Sequence, residues 1–198
     1  MCIRDSRGDR AVGLVRNPDH VADLEAAGAE AVVIDLESTD GGTLATHLSG
    51  ADAVVFAAGG GPNSGAARKE TVDKGAAILL ADAAEQAGVR RYVIVSAMGT
   101  DQADPTSDDV FQVYLRAKRA ADDDVRSRDL DWTVVKPGRL TDDPGTGRIA
   151  VGDLDLGEVT RADVAATLAA VLHTPSTAGR TFDLLGGDTP VDEVLASL

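Results

Sequence analysis

Cysteine is almost absent. Cys2 stands alone among 198 residues, which excludes a disulfide framework and a cysteine-based metal site and fits a reducing cytoplasm. Basic residues are also scarce, with 19 Lys and Arg against 33 Asp and Glu, and the formal charge of -14 makes nucleic acid and anionic membranes poor partners for the bulk surface. Any phosphate the protein holds therefore needs a local basic site. Lysine is rarest of all, present only as Lys69, Lys74, Lys118 and Lys136. No apolar run approaches the roughly 18 residues of a membrane span, and no charged-then-apolar signal pattern opens the chain. His20, His47 and His173 are scattered and accompany no metal-spaced carboxylates, so no metal is expected. Linkers, low-complexity stretches and heptads are missing as well. The expectation is a soluble cytoplasmic protein of one domain over residues 7–198, acting on a small molecule.

Residues 1–6 need separate treatment. Met-Cys-Ile-Arg-Asp-Ser is what ATG-TGT-ATA-AGA-GAC-AG and one further base encode, a transposon-derived sequencing adapter, so this segment is expected to be a non-native tail. The alternative is a genuine polar extension.

What the chain does contain is a recurring unit: an Ala-rich amphipathic stretch, a glycine, then a short β-branched run. Leu24–Gly28 leads to Ala31–Asp35, Leu48–Gly50 to Ala53–Ala57, and Ala83–Gly88 to Tyr92–Ser96. Each glycine sits where a helix needs a left-handed C-terminal residue. The strand runs are nearly continuously apolar, as in a parallel sheet covered by helices on both faces. Further strands are expected at Arg10–Val15, Trp132–Val135 and Thr181–Leu185. The pattern predicts an α/β, doubly wound, mostly parallel sheet. The helix between Ala66 and Ala87 is given an ordinary core-packing role by the spacing of Val72, Ala76, Leu79, Leu80 and Ala83. The loops Asp101–Asp109 and Thr141–Gly147 follow strand ends, where such sheets bind ligands.

Several residues at those strand ends carry chemistry. Arg16 follows the first strand where an acid would bind a ribose 2′-hydroxyl, and an arginine there accommodates a 2′-phosphate, favouring NADP over NAD; the bland reading is an exposed arginine heading a helix. Asp35 could accept from an adenine amino group or cap the following turn. Ala57-Ala58-Gly59-Gly60-Gly61 lets backbone approach a ligand, or is a flexible turn ending in Pro62; it does not match a phosphate-binding glycine pattern. Tyr114 and Lys118 lie four apart on one helix face, so the ammonium is expected to lower the phenol pKa and make it a usable general acid. With two tyrosines and four lysines, about 0.04 such pairs arise by chance. Ser96 ends the preceding strand, where its hydroxyl could bond a substrate carbonyl or cap a turn. Trp132 is expected in the core, Asp122–Asp124 on a solvated helix face, and Thr160–Ala165 at a helix start, with Arg161 a substrate or packing contact.

Taken with the Lys136-Pro137-Gly138 turn and Thr160-Arg161-Ala162-Asp163-Val164-Ala165, Ser96 and the Tyr114/Lys118 pair resemble the atypical short-chain dehydrogenases/reductases. More narrowly, they resemble the compact NAD(P)H-binding, NmrA-like group with its flavin and biliverdin reductase-like relatives. The resemblance covers about Arg7 to the C-terminus. It implies a Rossmann-type sheet, a catalytic set of Ser96, Tyr114 and Lys118, a second role for Lys118 on the nicotinamide ribose, and Pro137 and Gly138 beside the nicotinamide. The cofactor-binding residues expected are Arg16, Asp35, Ala57, Ala58, Gly59, Lys118, Pro137 and Gly138.

The family opens with a strand and a glycine-rich loop at a helix N-terminus. Neither is read in this sequence, so the first strand is expected to be missing, two strand edges to be left unpaired, and stability and NADP affinity to be low. The function expected is an NADP(H)-dependent oxidoreductase passing hydride to a small carbonyl, quinone or flavin-type acceptor. The alternative is a non-catalytic NADP-binding redox sensor. An epimerase or dehydratase ranks last, because only 60 residues follow Gly138. Acceptor and oligomeric state are not legible.

Overall fold

Successive residues of the central strands feed two different cores. In β4 (Arg91–Val95), Tyr92 and Ile94 enter one apolar cluster, while Val93 enters another on the opposite face. Val134 and Val135 of β5 (Asp131–Pro137) divide the same way. A strand buried on both faces has no polar side to show, which is why these runs read as continuously apolar. The computed structural model describes residues 8–61 and 63–198; the expected tail 1–6 and Pro62 lie outside the described residues.

Four strands run parallel: β3 (Ala53–Phe56), β4, β5 and β9 (Arg180–Gly186). Beyond β9, β7 (Arg148–Gly152) and β10 (Thr189–Pro190) add antiparallel, giving the order β10-β7-β9-β5-β4-β3. Two parallel pairs stand apart from this sheet, β1 (Val12–Val15) with β2 (Glu30–Val33) and β6 (Arg139–Thr141) with β8 (Glu158–Thr160). Among the described residues no strand pairs with the outer edge of β3 or with the edge of β1 away from β2. Leu14 and Ile34 nevertheless pack on the same cluster as Phe56, so side chains hold the pair where the backbone ladder does not reach. This is the α/β, mostly parallel architecture expected, with an antiparallel edge that the sequence reading lacked.

Helices cover both faces. The cluster that takes Tyr92 is closed by α2 (Gly41–Leu48), α4 (Ala77–Ala87) and α5 (Val110–Arg126); the other is closed by α6 (Arg161–Leu172) and α7 (Val191–Ala196). The starts of α2, α5 and α6 are capped by side chains that satisfy free backbone N–H groups. Asp40 accepts from Thr43 N at 2.8 Å, Asp109 from Phe111 N at 2.9 Å, and Thr160 from Asp163 N at 2.9 Å. Gly88 ends α4 at φ +75, and its N–H donates back to the Ala84 carbonyl, the left-handed cap its position predicts.

One stretch departs from α-helical spacing. Between α3 (Ala66–Arg68) and α4, residues Lys69–Ala76 form a π-helix. Its wider turn, of a kind enriched at functional sites, buries two charged side chains, Lys69 and Asp73, together with Val72 and Ala76. The core-packing role expected for this helix is therefore only part of what it does.

Candidate functional site

The carboxyl ends of β3, β4 and β5 open onto the first half of α5, and a cation is buried there. Lys118 is 4% exposed. Its Nζ donates to the Val95 carbonyl at 3.0 Å, lies 3.5 Å from that of Ala58, and pairs with Asp73 Oδ1 at 3.6 Å. Burial pulls the ammonium pKa down, while Asp73 and Asp122 pull it back up.

Tyr114, one turn earlier, is partly buried. Its ring stacks near Phe111, and Lys69 Nζ stands 5.3 Å from the ring centroid. The expectation that Lys118 lowers the phenol pKa is corrected here. Burial pushes the phenol above the usual tyrosine range, and the charges of Asp73 and Asp122 add to that push. The ammonium does not act as a lone cation, because two carboxylates face it.

Ser96 follows β4 and is held twice: its N–H donates to the Val135 carbonyl at 2.8 Å, and its Oγ donates to Asp122 Oδ2 at 2.6 Å. Asp122 is fully buried, and its Oδ1 has no hydrogen-bond partner. Burial pushes this carboxyl up to about 6, against the Ser96 hydrogen bond and the charges of Arg126, Lys136 and Lys118. The solvated face expected for Asp122–Asp124 is thus wrong at Asp122. Four positions beyond Lys118 is the same inward side of the helix, whereas Asp123 pairs with Arg119 and Arg126, and Asp124 with Arg128.

The glycine run is shaped by Asp73. Gly60 N donates to Asp73 Oδ2 at 3.0 Å, and a Cβ on Gly59 would sit 2.9 Å from Asp73 Oδ1. Lys69 Nζ donates to the Gly61 carbonyl at 2.7 Å. Gly59 and Gly60 are therefore pressed against the π-helix, while Ala57 and Ala58, with only methyl side chains, are exposed at the sheet rim. On the other flank, Pro137 ends β5 and its carbonyl accepts from Met98 N at 3.1 Å. A Cβ on Gly138 would come within 2.4 Å of the Gly157 carbonyl oxygen, so packing alone requires glycine there. The adjacent Lys136 is buried and donates to Asp101.

The opposite end of the rim carries a small ionic network. Arg16 Nη1 lies 3.4 Å and Arg68 Nη2 2.9 Å from Glu37 Oε2, while Thr71 Oγ1 donates to Oε1 at 2.6 Å. Arg68 Nε is buried with no partner. Asp35 lies past the end of β2, and its Oδ1 accepts from Glu37 N at 3.0 Å, the turn-capping arrangement. Arg161 pairs with Asp142 at 2.8 Å, both side chains being exposed. Asp163, buried at the start of α6, accepts from Thr146 N and Gly147 N and pins the loop after β6.

The sequence matches the NAD(P)H-binding family profile over residues 3–175. The chain belongs to that family. This NAD(P)H-binding protein is 38% identical over 186 residues to YhfK of Bacillus subtilis, described as an uncharacterized sugar epimerase, covering 93% of this chain and 86% of that one. A structure from Bacillus halodurans described as an NAD-dependent epimerase/dehydratase superposes with a TM-score of 0.89 at 36% identity, covering 97% of this chain and 89% of that one. The oxidoreductase ylbE of Lactococcus lactis superposes with a TM-score of 0.81 at 28% identity, covering 94% and 84%. These neighbours share the Rossmann-type fold, so a nicotinamide dinucleotide is the cofactor class to test against the rim.

The rim fits such a group in its donor chemistry. Bare backbone at residues 57–59, a buried ammonium at Lys118, and guanidinium groups at Arg16 and Arg68 suit ribose hydroxyls and phosphate. Among the described residues no group of three or more His, Cys, Asp or Glu side chains is placed to hold a metal, and no helix is long and apolar enough to cross a membrane. Sequence reasoning missed Glu37, Arg68, Lys69, Asp73 and Asp122. The i,i+4 spacings of Lys69 with Asp73 and of Lys118 with Asp122 were the available signal.

Proposed function

We propose that this protein is an NADP(H)-dependent oxidoreductase acting on a small carbonyl, quinone or flavin-type acceptor. The observation that carries the reading is the buried Lys118–Asp73 pair at the carboxyl rim of the parallel sheet, one helical turn from a half-buried phenol. Burying an ammonium is costly unless it is paired, and an unpaired core position would be filled more cheaply by an apolar residue.

A bound dinucleotide would supply the hydride, and the protein would supply position and protons. Tyr114 is the proton donor in this reading. Its raised pKa keeps the phenol protonated at neutral pH, the form that reduction needs; oxidation would need the phenolate. Lys118 would hold ribose hydroxyls, and Ser96 would orient the acceptor oxygen. Bare backbone at Ala57, Ala58 and Gly59 and the turn at Pro137 and Gly138 would line the cofactor, with Asp35 near its adenine. Preference for NADP rests on Arg16 and Arg68 converging on one anionic group, at present the Glu37 carboxylate.

A second reading is a redox sensor that binds NADP without turnover. It is favoured by Ser96, whose hydroxyl proton is engaged by Asp122 in a site with 4% exposure. Tyr114→Phe separates the two. The oxidoreductase reading expects NADPH oxidation with a panel of carbonyl and quinone acceptors to fall about 10²–10⁴-fold while NADPH binding is kept. Absence of turnover in the unaltered protein, with NADPH binding intact, supports the sensor and removes the enzyme.

A further inference from the structure

A serine hydroxyl has one proton to give. In this structure Ser96 gives it to Asp122 Oδ2 at 2.6 Å, not toward the rim. Asp122 is buried on the inward face of α5, and its second oxygen has no partner, so the Ser96 hydroxyl supplies its side-chain hydrogen bond. The groups that face it are Lys118 and Arg126 from its own helix and Lys136 from β5, with Tyr114 and Arg119 on α5 also coupled to its charge. Of the cations, Lys118 is drawn to Asp73 and the Val95 carbonyl, Lys136 to Asp101, and Arg126 and Arg119 to Asp123.

We propose that Asp122 is a positioning residue that decides whether Ser96 can donate to a substrate oxygen. Ionised, the carboxylate accepts the hydrogen bond of the serine O–H, and an oxygen arriving at Ser96 meets only lone pairs. Protonated, the carboxyl group gives its own hydrogen bond to Ser96 Oγ and frees the serine O–H to turn toward the acceptor. No bond is made or broken in the chain beyond this transfer of one solvent proton onto Asp122. The inference rests on the oxidoreductase reading, because it assigns Ser96 an acceptor to orient. Burial, which raises the carboxyl to about 6, brings the switch to the edge of the neutral range.

The test combines a titration of the free protein with a rate profile. In the free protein, the ¹³C carboxyl resonance of Asp122 is expected to titrate near 6 and to move to higher pH in Ser96→Ala, since the lost hydrogen bond favoured the ionised form. With NADPH and 9,10-phenanthrenequinone as probe, kcat/KM is expected to fall about tenfold per pH unit above that same midpoint. Asp122→Asn, whose amide N–H₂ can donate to Ser96 Oγ at every pH, is expected to abolish this limb. A limb that persists in Asp122→Asn overturns the proposal and leaves the oxidoreductase reading standing. If Asp122→Asn does not fold, a mismatch between the carboxyl midpoint and the rate midpoint of the unaltered protein overturns it instead. Absence of NADPH oxidation at every pH, for the unaltered protein and Asp122→Asn alike, removes both.

Discussion

The Lys118–Asp73 pair allows a quantitative test of how the rim is held together. Asp73 is 1% exposed, accepts from Gly60 N at 3.0 Å and faces the ammonium at 3.6 Å. Asp73→Ala strips a buried cation of the carboxylate it pairs with and leaves the part-buried Gly60 N–H without its acceptor. Breaking one side of a buried pair costs about 3–5 kcal/mol, and an orphaned donor about 1–3 kcal/mol. The expected loss is therefore about 4 kcal/mol or more, a large part of a typical domain's stability. Lys118→Met alone leaves a buried carboxylate and should cost a similar amount. The double variant Asp73→Ala/Lys118→Met removes both charges and leaves the Gly60 N–H and the Val95 carbonyl without their side-chain partners, yet it should be more stable than Asp73→Ala by itself, a coupling of roughly 3 kcal/mol or more. Urea unfolding of the four proteins at pH 7 measures the cycle. The pH dependence has a definite sign. Folded Lys118 has its pKa lowered by burial, so between that value and the unfolded one near about 10.4 the unfolded chain binds the extra proton, and stability rises with pH. Asp73 opposes the lowering, so Asp73→Ala should widen the window downward and gain more stability between pH 7 and 9 than the unaltered protein. Additive losses, or a gain no larger than in the unaltered protein, would refute the claim that the two charges compensate one another.

Other positions give independent checks. Gly138→Ala should destabilise by about 3 kcal/mol or more, because the new methyl group meets the Gly157 carbonyl and Leu185 Cδ2 at 2.4 Å; thermal melting close to that of the unaltered protein would show that the β5 turn can yield. Glu37→Gln should tighten 2′,5′-ADP over 5′-AMP by about tenfold, the effect of removing one charge from a phosphate's neighbourhood; calorimetry with both nucleotides reads it, and an unchanged ratio would mean that Arg16 and Arg68 do not receive the 2′-phosphate. Hydrogen exchange should be faster in Leu14 and Val15 of β1 than in Val93 and Ile94 of β4, since β1 pairs with β2 alone among the described residues while β4 is paired on both sides. Equal protection would show that the ladder is closed on the far side of β1.

Legibility followed the physics of each element. β4 and β5 were readable because burial on both faces removes the polar half of the usual alternation. β7 and β10 were not, because three apolar residues, Ile149 to Val151, and a Thr-Pro pair look like loop until an antiparallel partner is supplied. Ser96, Tyr114 and Lys118 stood out by residue type and spacing. Asp73 and Asp122 did not, since in a chain with 33 acidic residues a helical aspartate looks like surface; only the packed structure places Asp73 against Gly60 and Lys118 and Asp122 against Ser96. The apolar spacing over Ala66–Ala87 fits an ordinary helix of about 3.6 residues per turn, which conceals the π-helix that brings Lys69 to Tyr114. The phenol pKa was not legible because burial of the ring raises it first, and the charges of Asp73 and Asp122, which nothing in the residue pattern places inside, add to that.

These buried acids also bear on how so acidic a protein meets an anionic ligand. Three of the four lysines, Lys69, Lys118 and Lys136, are each no more than 6% exposed, and each already has an acceptor in the Gly61 carbonyl, Asp73 or Asp101. Arg16 and Arg68, with side chains 50% and 33% exposed, are the cations of the rim network that reach solvent. A dinucleotide therefore approaches through the field of a molecule of charge -14 and finds attraction only at contact distance. Salt acts on the two ranges differently, since screening removes repulsion beyond about 10 Å at 0.1 M but also weakens an exposed guanidinium–phosphate pair. Stopped-flow binding of 2′,5′-ADP should then show association becoming faster as salt rises while dissociation becomes faster as well. Association that slows with salt would mean that a basic field guides the ligand, and the balance of buried charge described for the rim would have to be wrong.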